Sequence, residues 1–231
     1  MSEAKGMGIS MKIGVLGSGK VGQTIAGKLA AIGQQVMIGT RDPQKLTEWQ
    51  QKAGENAWIG SFKEAAAFGE IVFNATSGSG SIEALQLAGS EQLEKKILID
   101  LSNPLDFSQG MPPILFVSNT DSLGEQIQRT FPDVKVVKGL NTLPAPLMVN
   151  PTQLADGDHN LFICGNDNDA KNEVKERLQQ WFGWKSGAIL DMGDIKAARG
   201  TEAILPFSMS LWGVLGTPVY NLKVVHQSLS K

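Results

Sequence analysis

Cysteine is nearly missing from this chain: Cys164 stands alone among 231 residues, so no intrachain disulfide can form. Histidine is almost as scarce, with two residues, which argues against a protein metal site because the commonest ligand is lacking. Tyrosine occurs once, and no His, Tyr or Asp falls into an obvious proton relay, so no catalytic residue is assigned. No apolar run approaches the length of a membrane span, and the N-terminus lacks the apolar centre of a secretion signal. Charge of either sign is not in excess: 21 basic residues face 23 acidic ones, the net charge is −2 and the sequence pI is near 5.7. Without a basic stripe or run, nucleic acid and anionic membranes are poor partners. These absences lead to the expectation of a cytoplasmic protein that binds no metal, no membrane and no nucleic acid. The composition that is present, 42% hydrophobic and 19% charged, is that of an ordinary globular domain.

The most informative stretch is Lys12-Ile-Gly-Val-Leu-Gly-Ser-Gly-Lys-Val-Gly22. A short apolar strand (Ile13 to Leu16) runs into Gly17-x-Gly19-x-x-Gly22, and an Ala-rich helical pattern follows from Val21 to Ile32. Each glycine has a task there: a tight turn, close approach of backbone to a pyrophosphate, and close helix–strand packing. The helix start offers free N–H groups and a favourable dipole to phosphates. Gly17, Ser18, Gly19, Lys20, Val21 and Gly22 are therefore candidate cofactor-binding residues.

The second strand, Gln35 to Gly39, ends about 20 residues past the glycines, where the ribose-reading residue belongs. An NAD site places a carboxylate there. This chain has Gly39-Thr40-Arg41 instead. A guanidinium can hold a 2′-phosphate through paired hydrogen bonds, and Thr40 can add a hydroxyl, so the tip is built for NADP(H). Asp42 follows at once and is expected to cap the next helix, with Pro43 at its first position, and to point away from the ribose.

Strand-like and helix-like segments alternate with short connections, which predicts an α/β fold: a Rossmann-like, doubly wound, mostly parallel sheet with a small C-terminal α/β extension. Residues 1–10 read as a disordered leader, 11–150 as the NADP-binding Rossmann domain, and 151–231 as a smaller C-terminal part packed on the core. Helices are expected at Gln44–Ala53, Phe62–Phe68 (capped by Ser61), Ile82–Ala88, from Asp121 or Ser122 to Thr130, at Asp169–Phe182 and at Asp194–Leu215. Further strands are expected at Ala57–Ile59, Ile71–Ala75, Ile97–Leu101, Lys135–Val137, Asn160–Cys164 and Lys185–Leu190. Cys164 lies in an apolar strand pattern and reads as a buried core thiol.

Ligands of such sheets bind beyond the carboxyl ends of the strands. The hydroxyl- and glycine-rich loop Thr76–Ser81 either lies against the phosphates and the nicotinamide ribose or is a flexible turn, with Ser79 or Ser81 available as a helix cap. The Asn103 amide either meets the nicotinamide carboxamide or a substrate carbonyl, or closes a turn before Pro104. Asn141 offers the same choice. Lys138 is the only lysine near Asn141 that could act as an acid, and without a relay it is not assigned a catalytic role.

The chain resembles the NADP oxidoreductases dependent on coenzyme F420, a deazaflavin, a family that also includes the reductase domains of transmembrane metalloreductases. The resemblance rests on Met11 to Gly22, Gly39-Thr-Arg41, Asp100-Leu-Ser-Asn-Pro104, Ser122-Leu-Gly-Glu125, Val136-Val-Lys-Gly-Leu-Asn-Thr142, Cys164-Gly-Asn-Asp167, Asp191-Met-Gly-Asp194 and Ala198-Arg199. It implies hydride exchange between NADP(H) and a flavin or deazaflavin acceptor. It places the pyrophosphate on Ser18 to Val21, the 2′-phosphate on Thr40 and Arg41, and the nicotinamide near Thr76, Ser77 and Asn141. Two features depart from the family: Gly139-Leu140 replaces the usual Ala-Phe, and Pro206 to Trp212 matches no deazaflavin pocket. Phe207, Met209, Trp212 and Tyr220 either form a lid over the acceptor ring or are plain core. An NADP-dependent reductase of a small carbonyl compound and a non-catalytic NADP-binding sensor are the alternatives. The apolar C-terminal helix invites a homodimer.

Overall fold

The structure, a computed structural model, describes residues 10–227. Of the leader expected over 1–10, residues 1–9 lie outside this range. Eight strands form one sheet: β1 (Lys12–Leu16), β2 (Gln35–Gly39), β3 (Ala57–Gly60), β4 (Ile71–Asn74), β5 (Ile97–Asp100), β8 (Lys135–Gly139), β9 (Leu161–Gly165) and β10 (Ile189–Asp191). Their spatial order is β10-β9-β8-β5-β4-β1-β2-β3. Every neighbouring pair is parallel except β8 and β9, which run antiparallel. The near-continuous apolar runs of β1, β4 and β5 suit strands covered on both faces. Gly39, Asn74, Asp100 and Gly139 thus end at one edge, which is where the glycine turn also lies.

The helices are α1 (Lys20–Ala31), α2 (Thr47–Ala53), α3 (Phe62–Phe68), α4 (Ser81–Ala88), α5 (Ser90–Leu93), α6 (Leu123–Thr130), α7 (Ala145–Val149), α8 (Asn168–Phe182) and α9 (Ala198–Leu215). On one side of the sheet, Ile25 and Leu29 of α1 share an apolar cluster with Val174, Leu178 and Trp181 of α8. The segment beyond residue 150 therefore contributes to the same sheet and the same core as the segment before it. On the other side, Phe62 and Ala65 of α3 pack with Leu85 of α4 and Leu123 and Ile127 of α6. Each such aliphatic side chain contributes about 1.5–3 kcal/mol when fully buried. Ser61 caps α3 as its sequence predicts: its side chain accepts from the Glu64 N–H while the Glu64 carboxylate accepts from the Ser61 N–H. No helix among the described residues is long and apolar enough to cross a membrane.

Three expectations are corrected. The helix expected over Gln44–Ala53 is split into a 3₁₀ turn, Pro43–Leu46, and α2, because the backbone at Leu46 leaves the helical region (φ −105°, ψ 1°). The strand expected over Lys185–Leu190 begins with a 3₁₀ turn, Ser186–Ala188. A small antiparallel hairpin, β6 (Leu105–Asp106) with β7 (Ile114–Leu115), was not expected, since two-residue strands leave no alternation to read. Pro206 sits inside α9 without ending it, in keeping with the helix expected over Asp194–Leu215. The distal half of α9 is not core, for Phe207 is 56% and Trp212 46% exposed.

Candidate cofactor site

β1 delivers the chain into Gly17, whose φ of +116° is open to glycine and hardly to any other residue. A Cβ at Gly22 would lie 2.0 Å from the Gly17 carbonyl oxygen, so only glycine lets α1 seat against the turn. A Cβ at Gly19 would meet no protein atom within 4 Å: this position faces open space. Gly19 heads α1 with no side-chain cap, which leaves first-turn N–H groups directed at an anion. The three glycines thus form a positive-φ turn, an open helix start and a tight helix seat.

The cleft above this turn is lined by Gly17, Ser18, Gly19, Thr40, Arg41, Thr76 and Ser77, joined by Asp42, Lys45 and Glu83. Seven of the twelve candidate residues therefore converge. Lys20, Val21 and Gly22 form the first turn of α1 beneath them. Arg41 is exposed, and among the described residues no ion pair claims it. Asp42 instead pairs with Lys45 at 3.3 Å. Asp42 makes no side-chain cap and lines the cleft, which corrects the expected capping role. Thr40 is buried; its hydroxyl donates to Ser18 Oγ (3.0 Å) and accepts from the Asp42 N–H (3.1 Å). Thr40 so shapes the tip, and Arg41 carries its free charge.

Behind Thr76 lies a buried polar network that the sequence did not reveal. Asn74 Nδ2 donates to Ser81 Oγ (2.6 Å) and Asp100 Oδ1 (2.8 Å), and the Thr76 hydroxyl donates to Asn74 Oδ1 (2.7 Å). Ser81 is the first residue of α4 and anchors this network; it is not a cap. The network fixes the carboxyl ends of β4 and β5 against each other.

Asn103 and Asn141 stand together and are not among the residues lining the cleft. Asn103 Nδ2 donates to the Asn141 carbonyl (2.8 Å), while Asn141 Nδ2 donates to Asn103 Oδ1 (2.9 Å) and to the Thr201 carbonyl of α9 (3.0 Å). Asn141 Oδ1 is buried without a partner. Leu140, just before it, has φ +62°, a left-handed conformation costly for a branched side chain, of order 1–3 kcal/mol. Strain and an unpaired acceptor meet at the residue expected beside the nicotinamide.

Lys138 is fully enclosed. Its ammonium donates to Asp100 Oδ2 (2.8 Å), to the Ser102 carbonyl (2.5 Å) and to Glu202 Oε1 (2.7 Å). Burial alone would lower its pKa; the Asp100 and Glu202 carboxylates outweigh that and hold it above the ordinary lysine value. Glu202 also accepts from the Leu123 and Gly124 N–H groups, the free first-turn donors of α6. Ser122 donates to Glu125 (2.7 Å), which takes paired hydrogen bonds from Arg199 (2.9 and 2.6 Å). The Arg199 bonds keep the Glu125 carboxyl below its usual range against the opposing effect of burial. Several motifs that carried the family resemblance are therefore the fastening of α9 to α6, β5 and β8. Cys164 is a buried thiol, pushed up to about 12 by burial.

An open glycine cradle, a free guanidinium and an unpaired buried amide oxygen fit a phosphorylated dinucleotide. Comparison with known proteins agrees. The family model described as NADP oxidoreductase, coenzyme F420-dependent, matches residues 12–104. A crystal structure from Arthrobacter sp. FB24, provisionally described as an F420-dependent NADP reductase, superposes with a TM-score of 0.89 at 50% identity, covering 94% of this chain and 100% of that one. This chain belongs to the coenzyme F420-dependent NADP oxidoreductase family. Its relatives within and around that family include the F420-dependent NADP reductase of Methanothermobacter marburgensis, 28% identical over 87% of this chain and 92% of the relative. The metalloreductase STEAP3 of Rattus norvegicus is 30% identical over 88% of this chain, which spans only 38% of that protein's length. The mostly parallel sheet and its glycine turn are the frame this family of oxidoreductases provides for NADP.

Proposed function

We propose that this chain transfers a hydride between NADP(H) and a flavin or deazaflavin acceptor. The observation that carries this reading is the unclaimed Arg41 guanidinium in the same cleft as the open Gly19 cradle and the Thr76–Ser77 loop. Gly17 to Gly22 would hold the diphosphate, Arg41 the 2′-phosphate, and Thr76, Ser77, Asn103 and Asn141 the edge of the nicotinamide. When bound, the dinucleotide supplies a hydride from C4 of its reduced ring, two electrons and a proton together. The chain's own part is to orient and to exclude water. Reduction of a carbonyl compound needs a proton donor as well. Lys138, the lysine beside Asn141, is sealed between two carboxylates, which favours an acceptor needing no such donor.

The test is NADPH oxidation followed at 340 nm with riboflavin, FMN or a deazaflavin, against a panel of aldehydes and ketones. Turnover with carbonyl compounds and none with ring acceptors would refute the reading; tight NADPH binding with no turnover would indicate a sensor. The reading includes a homodimer through the exposed apolar side of α9, with Phe207, Trp212 and Leu215 exposed, which light scattering after gel filtration tests.

A further inference from the structure

Beyond the loop 76–80, on the side away from the glycine turn, lies a second cavity of about 660 Å³. Gly78, Ser79 and Ile82 form one wall, and Leu105, Asp106, Phe107 and Phe116 of the hairpin region form the facing one. Thr76 and Ser77 line the dinucleotide cleft, so one short loop separates the two spaces. The loop is wedged in place: a Cβ at Gly78 would lie 1.9 Å from the Asn103 carbonyl oxygen. The volume and two partly exposed phenyl rings suit a planar aromatic ligand.

Asp106 is the one charged side chain among the residues that line this bay. The two segments that build it, residues 76–88 and 105–126, contain no Lys, Arg or His. Asp106 is at the wall itself, where a hydrogen bond from the Ser108 N–H (2.8 Å) and one from its hydroxyl hold its carboxyl below the usual range. Arg129, at the far end of α6, is held by Asp121 through two hydrogen bonds (2.9 and 2.8 Å). Arg199 is held by Glu125 in the same manner. A phosphate or carboxylate tail entering here meets the Asp106 carboxylate, and no cation among the lining residues.

Resting on the function proposed above, we propose that this bay selects an acceptor ring whose side chain carries no anionic group, a riboflavin-like ligand in preference to its phosphorylated forms. The test is titration of riboflavin and FMN by fluorescence quenching, in saturating NADP+, at low and high salt. Riboflavin binds about fivefold more tightly than FMN at low salt, the size of a screened repulsion between a carboxylate and a phosphate a few ångströms apart. The gap closes at high salt and in Asp106→Asn, a near-isosteric change at a half-buried position, while Phe107→Ala weakens both ligands equally. FMN binding as tightly as riboflavin, or more so, would overturn this selection and leave the ring-acceptor reading standing. Failure of either flavin to bind while NADP+ still does would overturn both.

Discussion

Arg41→Ala separates the choice of dinucleotide from its binding. The guanidinium is exposed, so its attraction to a 2′-phosphate acts through a medium close to water. At about 4 Å, each unit of charge is worth roughly 1 kcal/mol there, and a phosphate carries about 1.5–2 units. Paired charge-assisted hydrogen bonds bring the total to about 1.5–3 kcal/mol. The expected outcome is a Kd for NADPH raised roughly 10- to 150-fold, with NADH affinity unchanged within about twofold. Isothermal calorimetry with both dinucleotides, at two salt concentrations, measures it. Thr40→Val provides the contrast: its hydroxyl serves Ser18 and the Asp42 N–H, so it should weaken both dinucleotides together. Equal loss of NADPH and NADH in the Arg41 variant would refute the assignment of the 2′-phosphate to this side chain.

Gly19→Ala adds a methyl where no protein atom lies within 4 Å, so thermal stability should hold; crowding of a bound diphosphate by about 1–3 kcal/mol should raise the Kd of both dinucleotides roughly 5- to 150-fold. Unaltered affinity would show that the cradle is not used. Lys138→Met leaves Asp100 and Glu202 buried without their cation, a loss of about 3–5 kcal/mol, or a Tm lower by roughly 6–20 °C in a chain of this size. Calorimetric melting decides it, and a Tm within 2 °C of the parent, on the order of half a kcal/mol, would contradict the role. Asp121 is held at about 2 by its hydrogen bonds from Arg129, below its ordinary value of 3.8. A lowered carboxylate contributes stability above its unfolded pKa and loses it as pH falls from about 4 to about 2, and solvent screening limits this to about 1 kcal/mol or less. Acid titration of Asp121→Asn, whose stability should lack that part of the pH dependence, checks the sign.

The glycine turn and the β2 tip were legible because their constraints are local. Gly17 must adopt positive φ and Gly22 must admit a helix, and both demands are written in consecutive residues. Strand β2 and helix α3 were placed to the residue, since a clean apolar run and a capping pair mark their ends. What escaped was the non-local chemistry. Asn74 reads as the polar end of a strand, and nothing near it in sequence announces Ser81 or Asp100 as partners. Lys138 looked like an isolated lysine, because one of its two anions lies 64 residues further on, at Glu202. Asp42 looked like a cap because caps are common before proline, yet Lys45 one turn later offers its carboxylate a cation. The hairpin of β6 and β7 was missed because its four residues carry no period.

The burial of Glu202 has a consequence for the order in which the chain can mature. As synthesis proceeds from the N-terminus, β5, α6 and β8 emerge long before the carboxylate that neutralises Lys138 and receives the Leu123 and Gly124 amides. Until that turn of α9 leaves the ribosome, a desolvated ammonium has Asp100 alone for an anion and two helix-start donors have none. A nascent segment ending near residue 150 should therefore hold its nucleotide edge open to water, and the last third of the polypeptide should act as the latch that makes it close.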